Sequence, residues 1–181
     1  MIRNAATVGT TEARTTALAC LEAGIDAANP ARVIDERLSL TGDTLLVDGD
    51  RYDLDTFDRI IVVGGGKAAD AIVTGLEALI GDRLDAGVVV TTERAEGDRV
   101  DRLPGDHPVP SERGVDATAR LLALAETADR NTLVIAPISG GGSALMTAPA
   151  SAIGLDDIQA VTTALIESGA DIGEINSVRK H

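Results

Sequence analysis

Two apolar runs in this chain lead into glycine triplets, and each triplet opens onto a helical segment. The first is Ile60-Ile61-Val62-Val63, followed by Gly64-Gly65-Gly66-Lys67-Ala68-Ala69. The second is Leu133-Val134-Ile135-Ala136, followed after Pro137, Ile138 and Ser139 by Gly140-Gly141-Gly142-Ser143. A β-branched run bounded by glycine reads as a buried strand, and a glycine triplet lets the backbone turn sharply and approach other groups closely. A further run at Gly87 to Thr91, with helical segments at about 67 to 80 and 112 to 127, completes an alternation of strand and helix. Such alternation means βαβ units, so the expected class is α/β: a parallel sheet with helices on its faces. Ligands of such sheets bind outside the carboxyl ends of the strands, where both triplets fall.

The segment before the sheet has its own signals. Thr11 to Asn29 shows helical spacing, with Leu18, Leu21 and Ile25 near one face, and Pro30 suits the first turn of a second short helix running to about Leu38. Thr44 to Leu54 carries Asp48-Gly49 between two short strand-like runs, a β-hairpin signal. Beyond the second sheet strand, Glu93 to Glu112 reads as a long polar loop containing Gly105-Asp106-His107-Pro108-Val109-Pro110. Its paired prolines hold it extended on the edge that carries Lys67, so His107 is a candidate to face the site. Glu93, Glu96, Asp101 and Asp106 read as solvated charge. Leu155 to Ser168 reads as a helix, with Asp156 and Asp157 in its first turn and Gly169 at its C-cap. A further helix begins near Gly173 and reaches Arg179-Lys180-His181.

Composition narrows the function. The chain has 181 residues, 44% of them hydrophobic, enough for one domain to close a core without disulfides or metals. Its aromatic residues are Tyr52 and Phe57, so stacking on bases or cations is not expected to carry function. A net charge of −13 disfavours nucleic acid and anionic membranes as partners and suits a high-salt cytoplasm, a halophilic signature. The single Cys20, in an alanine-rich helical stretch, reads as a small buried hydrophobe. No apolar h-region opens the chain and no apolar run spans a bilayer, so the expected location is cytoplasmic.

Lysine is almost absent: Lys67 and Lys180 stand against fourteen arginines. An ammonium kept beside a glycine turn and a helix start reads as an anion site, and phosphate is its simplest ligand. Ser139 and Ser143 flank the second triplet and suit hydrogen bonds to a phosphate or a carboxylate. Neither serine has the Gly-x-Ser-x-Gly spacing of an esterase nucleophile, and Lys67 lacks the spacing of a Walker loop. Gly64-x-Gly66-x-x-Ala69, with Glu93 near the end of the next strand, also fits a dinucleotide fingerprint. Taken alone, that pattern suggests an NAD(P)-dependent oxidoreductase.

Four stretches taken together, Val63 to Ala69, Gly105 to Pro110, Ile138 to Leu145 and Ser168 to His181, resemble the class II glycerate kinases, sometimes named hydroxypyruvate reductases. Order and spacing agree from about residue 12 to residue 181. The resemblance implies ATP- and Mg2+-dependent phosphorylation of D-glycerate to 2-phosphoglycerate. It also implies that residues 1–181 form a Rossmann-like N-terminal domain, with helices on both faces of its sheet and an N-terminal helix and β-hairpin ahead of it. A separate C-terminal domain, absent from this chain, would complete the cleft and hold the family's catalytic arginine. Lys67 is then the catalytic residue. Gly64, Gly65, Gly66, His107, Ser139, Gly140, Gly141, Gly142, Ser143, Asn176, Arg179 and Lys180 are the substrate- or phosphate-binding candidates. On this view the chain is a fragment, inactive by itself. A hydroxypyruvate reductase, or a non-catalytic domain that pairs with another chain, is the alternative, and the sequence leaves metal ligands and homo-oligomerisation open.

Overall fold

A computed structural model of the chain describes residues 2–94 and 97–180, so the readings of Glu96 and His181 lie outside the described residues. Two compact units are present, Met1–Tyr52 and Asp53–His181.

In the first unit, α1 (Ala5–Val8), α2 (Glu12–Ala27) and α3 (Pro30–Arg37) precede three strands. These are β1 (Leu38–Thr41), β2 (Thr44–Val47) and β3 (Asp50–Asp53), the last crossing into the second unit, arranged in the order β1-β2-β3. Thr11 caps α2 by accepting the Arg14 N–H at 3.3 Å, and Asn29 caps α3 by accepting the Ala31 N–H at 3.0 Å. Pro30 occupies the first turn, where its missing N–H is not needed. The expected hairpin forms: Asp48 and Gly49 both take positive φ, +49° and +96°, as a two-residue type I′ turn requires.

Two expectations are corrected here. Leu38 begins a strand instead of closing the second helix, because Gly42 (φ +58°) and Asp43 make another tight turn that pairs Leu38–Thr41 with β2. The apolar face read on α2 stays open to solvent: Leu21 and Ile25 are 58% and 59% exposed, and Cys20 is exposed instead of buried. Helical periodicity marks a face but cannot supply the layer that covers it.

The second unit is built on a parallel sheet of β4 (Arg59–Gly65), β5 (Ala86–Thr91), β6 (Val100–Pro104) and β7 (Thr132–Ile135), in the spatial order β6-β5-β4-β7. The helices are α4 (Ala69–Ile80), α5 (Glu112–Ala125), the short α6 (Gly142–Leu145), α7 (Leu155–Glu167) and α8 (Ile172–Arg179). Side chains alternate across the sheet as a strand dictates. Ile61, Val63, Val88, Val90 and Leu103 form one core with Ala117 and Leu121 of α5 and Leu145 of α6. Their neighbours Ile60, Val62 and Val89 are buried on the opposite face, where α4 contributes Val73, Leu76 and Ile80.

β6 lies inside the stretch read as loop, and the reason is visible in Arg102. Asp101 and Arg102 break the apolar pattern that marks a buried strand, yet Arg102 is only 3% exposed. Its Nη2 donates to Glu77 Oε2 at 2.8 Å and to Thr74 Oγ1 at 3.2 Å, its Nη1 donates to the Val100 carbonyl at 3.2 Å, and its Nε stands 2.6 Å from Asp70 Oδ1. Glu77 also accepts the N–H groups of Arg99 and Val100, each at 3.1 Å. Burial opposes ionisation of Glu77, but the hydrogen bonds from Arg102, Arg99 and Val100 outweigh it and hold the carboxyl below its ordinary range. One buried guanidinium thus fastens the edge strand to α4.

Replacing Arg102 by Met should strand the Glu77 carboxylate and cost about 3 kcal/mol or more of unfolding free energy, measured by denaturant titration near neutral pH. Because the folded Glu77 carboxyl is depressed, its stabilisation is fully present above the ordinary value of 4.5 and declines as pH falls through the folded one. The gap between wild type and R102M should therefore narrow in acid.

Candidate functional site

The chain adds β5 and β6 to one side of β4, then returns through α5 to place β7 on the other side. The reversal lies between β4 and β7, where an open α/β sheet has its crevice. Both glycine triplets emerge at the carboxyl ends of these two strands, and they bond to one another. Gly65 N–H donates to the Pro137 carbonyl at 2.9 Å, Ser139 N–H to the Gly65 carbonyl at 3.1 Å, and Lys67 N–H to the Gly140 carbonyl at 2.9 Å. Ala68 N–H donates to Ser139 Oγ at 3.0 Å.

Side chains have no room at this seam. A Cβ at Gly64 would lie 2.3 Å from the Pro137 carbonyl oxygen, and one at Gly66, where φ is +133°, would lie 2.2 Å from Ser139 Oγ. The first triplet is therefore glycine because another backbone presses on it. The N–H groups that an anion beside this glycine turn would meet are therefore engaged by protein. Gly65, Lys67 and Ala68 donate across the seam, Gly66 donates to the Val90 carbonyl at 2.9 Å, and Ala69 donates to the Gly66 carbonyl at 3.2 Å.

The second triplet is different. Gly142 N–H donates to the Ser139 carbonyl at 3.3 Å, whereas the N–H groups of Gly140, Gly141 and Ser143 make no hydrogen bond among the described residues. Gly141 takes φ +89°, and a Cβ there would stand 3.1 Å from Lys67 Cγ and 3.2 Å from His107 Cδ2. Lys67 and His107 therefore flank Gly141, beside the open N–H groups. Residues 34 to 74 positions apart in sequence meet at this one point.

His107 is held from both sides. Gly105 N–H donates to the Thr91 carbonyl at 2.7 Å, and Asp106 forms a two-pronged pair with Arg113 of α5, Nε to Oδ2 at 2.6 Å. Arg113 and Ser111 together hold the Asp106 carboxyl down at about 2. Beyond the cis His107–Pro108 bond, the carbonyl of buried Pro110 accepts Gln159 Nε2 of α7 at 2.8 Å. The imidazole itself makes no hydrogen bond among the described residues. His107 remains largely exposed, but partial burial, then the charges of Lys67 and Arg179, push it below its ordinary value of 6.5, which favours the neutral ring. Of the acids read as surface charge, Glu93 and Asp101 are exposed, and Asp101 pairs with Arg120 at 2.6 Å.

Arg179 reaches the site from α8. That helix opens with a reciprocal cap: Asp171 accepts the Glu174 N–H and Glu174 accepts the Asp171 N–H, each at 3.0 Å. Arg179 Nη2 donates to the Ser143 carbonyl at 2.7 Å, and burial draws its guanidinium below the ordinary value while leaving it a cation. Asn176 and Lys180 lie on the same segment, exposed, and make no hydrogen bond or ion pair to the glycine loops. Ser143 and Arg179 also border an apolar groove of about 460 Å³, lined by Met146, Ile158, Val161 and Val178 among others, which neither Lys67 nor His107 enters. Gln159 and Val90 escape a reading of the sequence because their partners are distant in the chain, and Arg113 because its partner Asp106 lies across the turn that opens α5. Among the described residues no group of three or more His, Cys, Asp or Glu side chains gathers to hold a metal ion, and no helix is long and apolar enough to cross a membrane.

Comparison with known proteins shows the family. The family described as a domain of unknown function, DUF4147, matches residues 16–181. The chain is 41% identical over 127 residues to a D-glycerate 2-kinase of Thermotoga maritima, covering 68% of this chain and 30% of that protein. It is 40% identical over 125 residues to an Agrobacterium vitis protein whose provisional name is hydroxypyruvate reductase, covering 68% of this chain and 28% of the other. Among solved structures, a glycerate kinase of Thermotoga maritima superposes with a TM-score of 0.69 at 33% identity, covering 91% of this chain and 37% of that one. The chain thus spans about a third of the length of the relatives it matches. It belongs to the DUF4147 family and shares its sequence and fold with glycerate 2-kinases.

Proposed function

We propose that this chain is the N-terminal, Rossmann-like portion of a glycerate 2-kinase, a protein that transfers the γ-phosphoryl group of ATP to D-glycerate. The observation that carries the reading is the convergence of Lys67 and His107 on Gly141, beside three N–H groups without acceptors among the described residues. Phosphoryl transfer demands positioned positive charge and hydrogen-bond donors more than covalent chemistry. Lys67 would hold transferring phosphoryl oxygens, the Gly140, Gly141 and Ser143 N–H groups would fix their direction, and Arg179 would add a second cation. Ser139 keeps the seam closed by accepting the Ala68 N–H.

ATP supplies the phosphoryl group when bound. Its phosphates suit Lys67, Arg179 and the open N–H groups, and they would provide most of the Mg2+ ligands, as is usual for nucleotide-borne magnesium. The chain spans 30% of the Thermotoga maritima relative; on this reading the second domain and the family's catalytic arginine would come from sequence outside it, and this stretch alone would be inactive. The reductase reading is weaker. A dinucleotide fingerprint works by offering free N–H groups of the first glycine turn to pyrophosphate, and here those groups are engaged by protein acceptors. Glu93, its ribose-binding candidate, is exposed and lies beyond the end of β5 at Thr91.

In a full-length enzyme containing this portion, Lys67→Met should lower kcat for ADP release with glycerate about 100-fold or more. Near wild-type turnover in a coupled assay would remove Lys67 from the mechanism. The same enzyme should form 2-phosphoglycerate from ATP and leave NADH and NADPH unoxidised with hydroxypyruvate. Steady loss of absorbance at 340 nm without ATP would reverse the assignment.

A further inference from the structure

We infer that anion binding beside Gly141 is proton-coupled through His107: the imidazole takes up a proton as an oxyanion docks against Lys67. The inference rests on the anion-site reading above, and it concerns how the site responds to pH.

The geometry supplies the coupling. Lys67, from the turn before α4, and His107, from the loop after β6, approach the same face of Gly141. Lys67 and Arg179, the latter from α8, are the charges that act on His107. On its own loop the adjacent carboxylate, Asp106, is committed to Arg113. His107 thus faces two cations with no carboxylate or hydrogen-bond acceptor assigned to it, which favours the neutral ring while the site is free of anion. An oxyanion seated on Lys67 and the Gly141 N–H reverses that field, because it puts negative charge within a few ångströms of the ring. An opposite charge at about 4–6 Å raises the pKa of a cationic acid by roughly one unit or more.

The anchoring of the loop fits this role. Gly105, Asp106 and Pro110 are each tied to a different part of the unit, at Thr91, Arg113 and Gln159. The imidazole between these ties makes no bond of its own among the described residues. It is fixed in position and chemically available.

By linkage, the anion must bind more tightly wherever His107 is more protonated in the bound state than in the free one. Affinity therefore rises as pH falls through the bound-state pKa, and it levels off below the free-state pKa. Sulfate is the suitable probe, since its charge is constant across this range.

The test uses the chain as it is, at constant ionic strength. NMR of the imidazole Cε1–H groups is simple because the sequence has two histidines, His107 and His181. The expected result has three parts. Sulfate perturbs the Gly140 and Gly141 amides, it moves the His107 titration up by about one unit, and its affinity falls about threefold to sixfold from pH 6 to pH 8, tenfold being the limit well below the free-state pKa. In H107Q the pH dependence should vanish, with affinity at pH 6 lowered toward the wild-type value at pH 8. If sulfate perturbs the glycine amides but leaves the His107 titration unmoved, the proton coupling is wrong and the anion site stands. If no glycine amide responds at any pH, the anion site itself fails and the coupling with it.

Discussion

The seam between the two glycine loops is the constraint on which the site depends. β4 and β7 are neighbours in the sheet, and their continuations stay paired beyond the strand ends through hydrogen bonds among Gly65, Lys67, Pro137, Ser139 and Gly140. Backbones approach this closely only where side chains are missing, so the triplets serve contact with protein before contact with ligand. The bonding is also asymmetric. The first loop uses three donors in holding the second and its others on Val90 and its own turn, whereas the second keeps three N–H groups open among the described residues. Lys67 is carried on the consumed loop and aimed at the open one. A lysine side chain on a flexible stem is thereby given a fixed root.

Electrostatics sharpen this arrangement. A chain of net charge −13 repels anions at long range, yet Lys67, His107 and Arg179 form a local patch with no carboxylate assigned to it. At physiological ionic strength the Debye length is about 8 Å, so distant acids are screened while these cations act at contact. Partial burial, with the two neighbouring cations, holds His107 below its ordinary value. A buried cation of a different kind, Arg102, is paired with Glu77 and Asp70, bonds to Thr74 and serves architecture. The two cases separate a charge that holds the fold from charges left available to a ligand.

The site is assembled from segments with different supports. His107 is placed by α5 through Arg113, by α7 through Gln159 and by β5 through the Thr91 carbonyl. Arg179 is placed by a helix whose start is fixed with a reciprocal cap and whose end meets Ser143. Each support is modest, since a single hydrogen bond contributes about 1 kcal/mol. Their number keeps the cluster together.

Local chemistry in the sequence determined a good deal of this protein. Glycine after β-branched runs marked β4 and β7, Asp48-Gly49 marked a hairpin, and the shortage of lysine singled out Lys67, because each signal depends on neighbours only a few residues away. Where the decisive partner is distant, the sequence was silent or misleading. Arg102 concealed a strand because Glu77 and Asp70, which neutralise it, sit on α4. The α2 pattern implied a buried face and a buried Cys20, but periodicity cannot say whether another layer lies above. Most of all, only the tertiary structure decided which glycine loop keeps its donors free. Both triplets have the same local freedom, and hydrogen bonds between backbones about 70 residues apart, such as Lys67 to Gly140, commit one and spare the other.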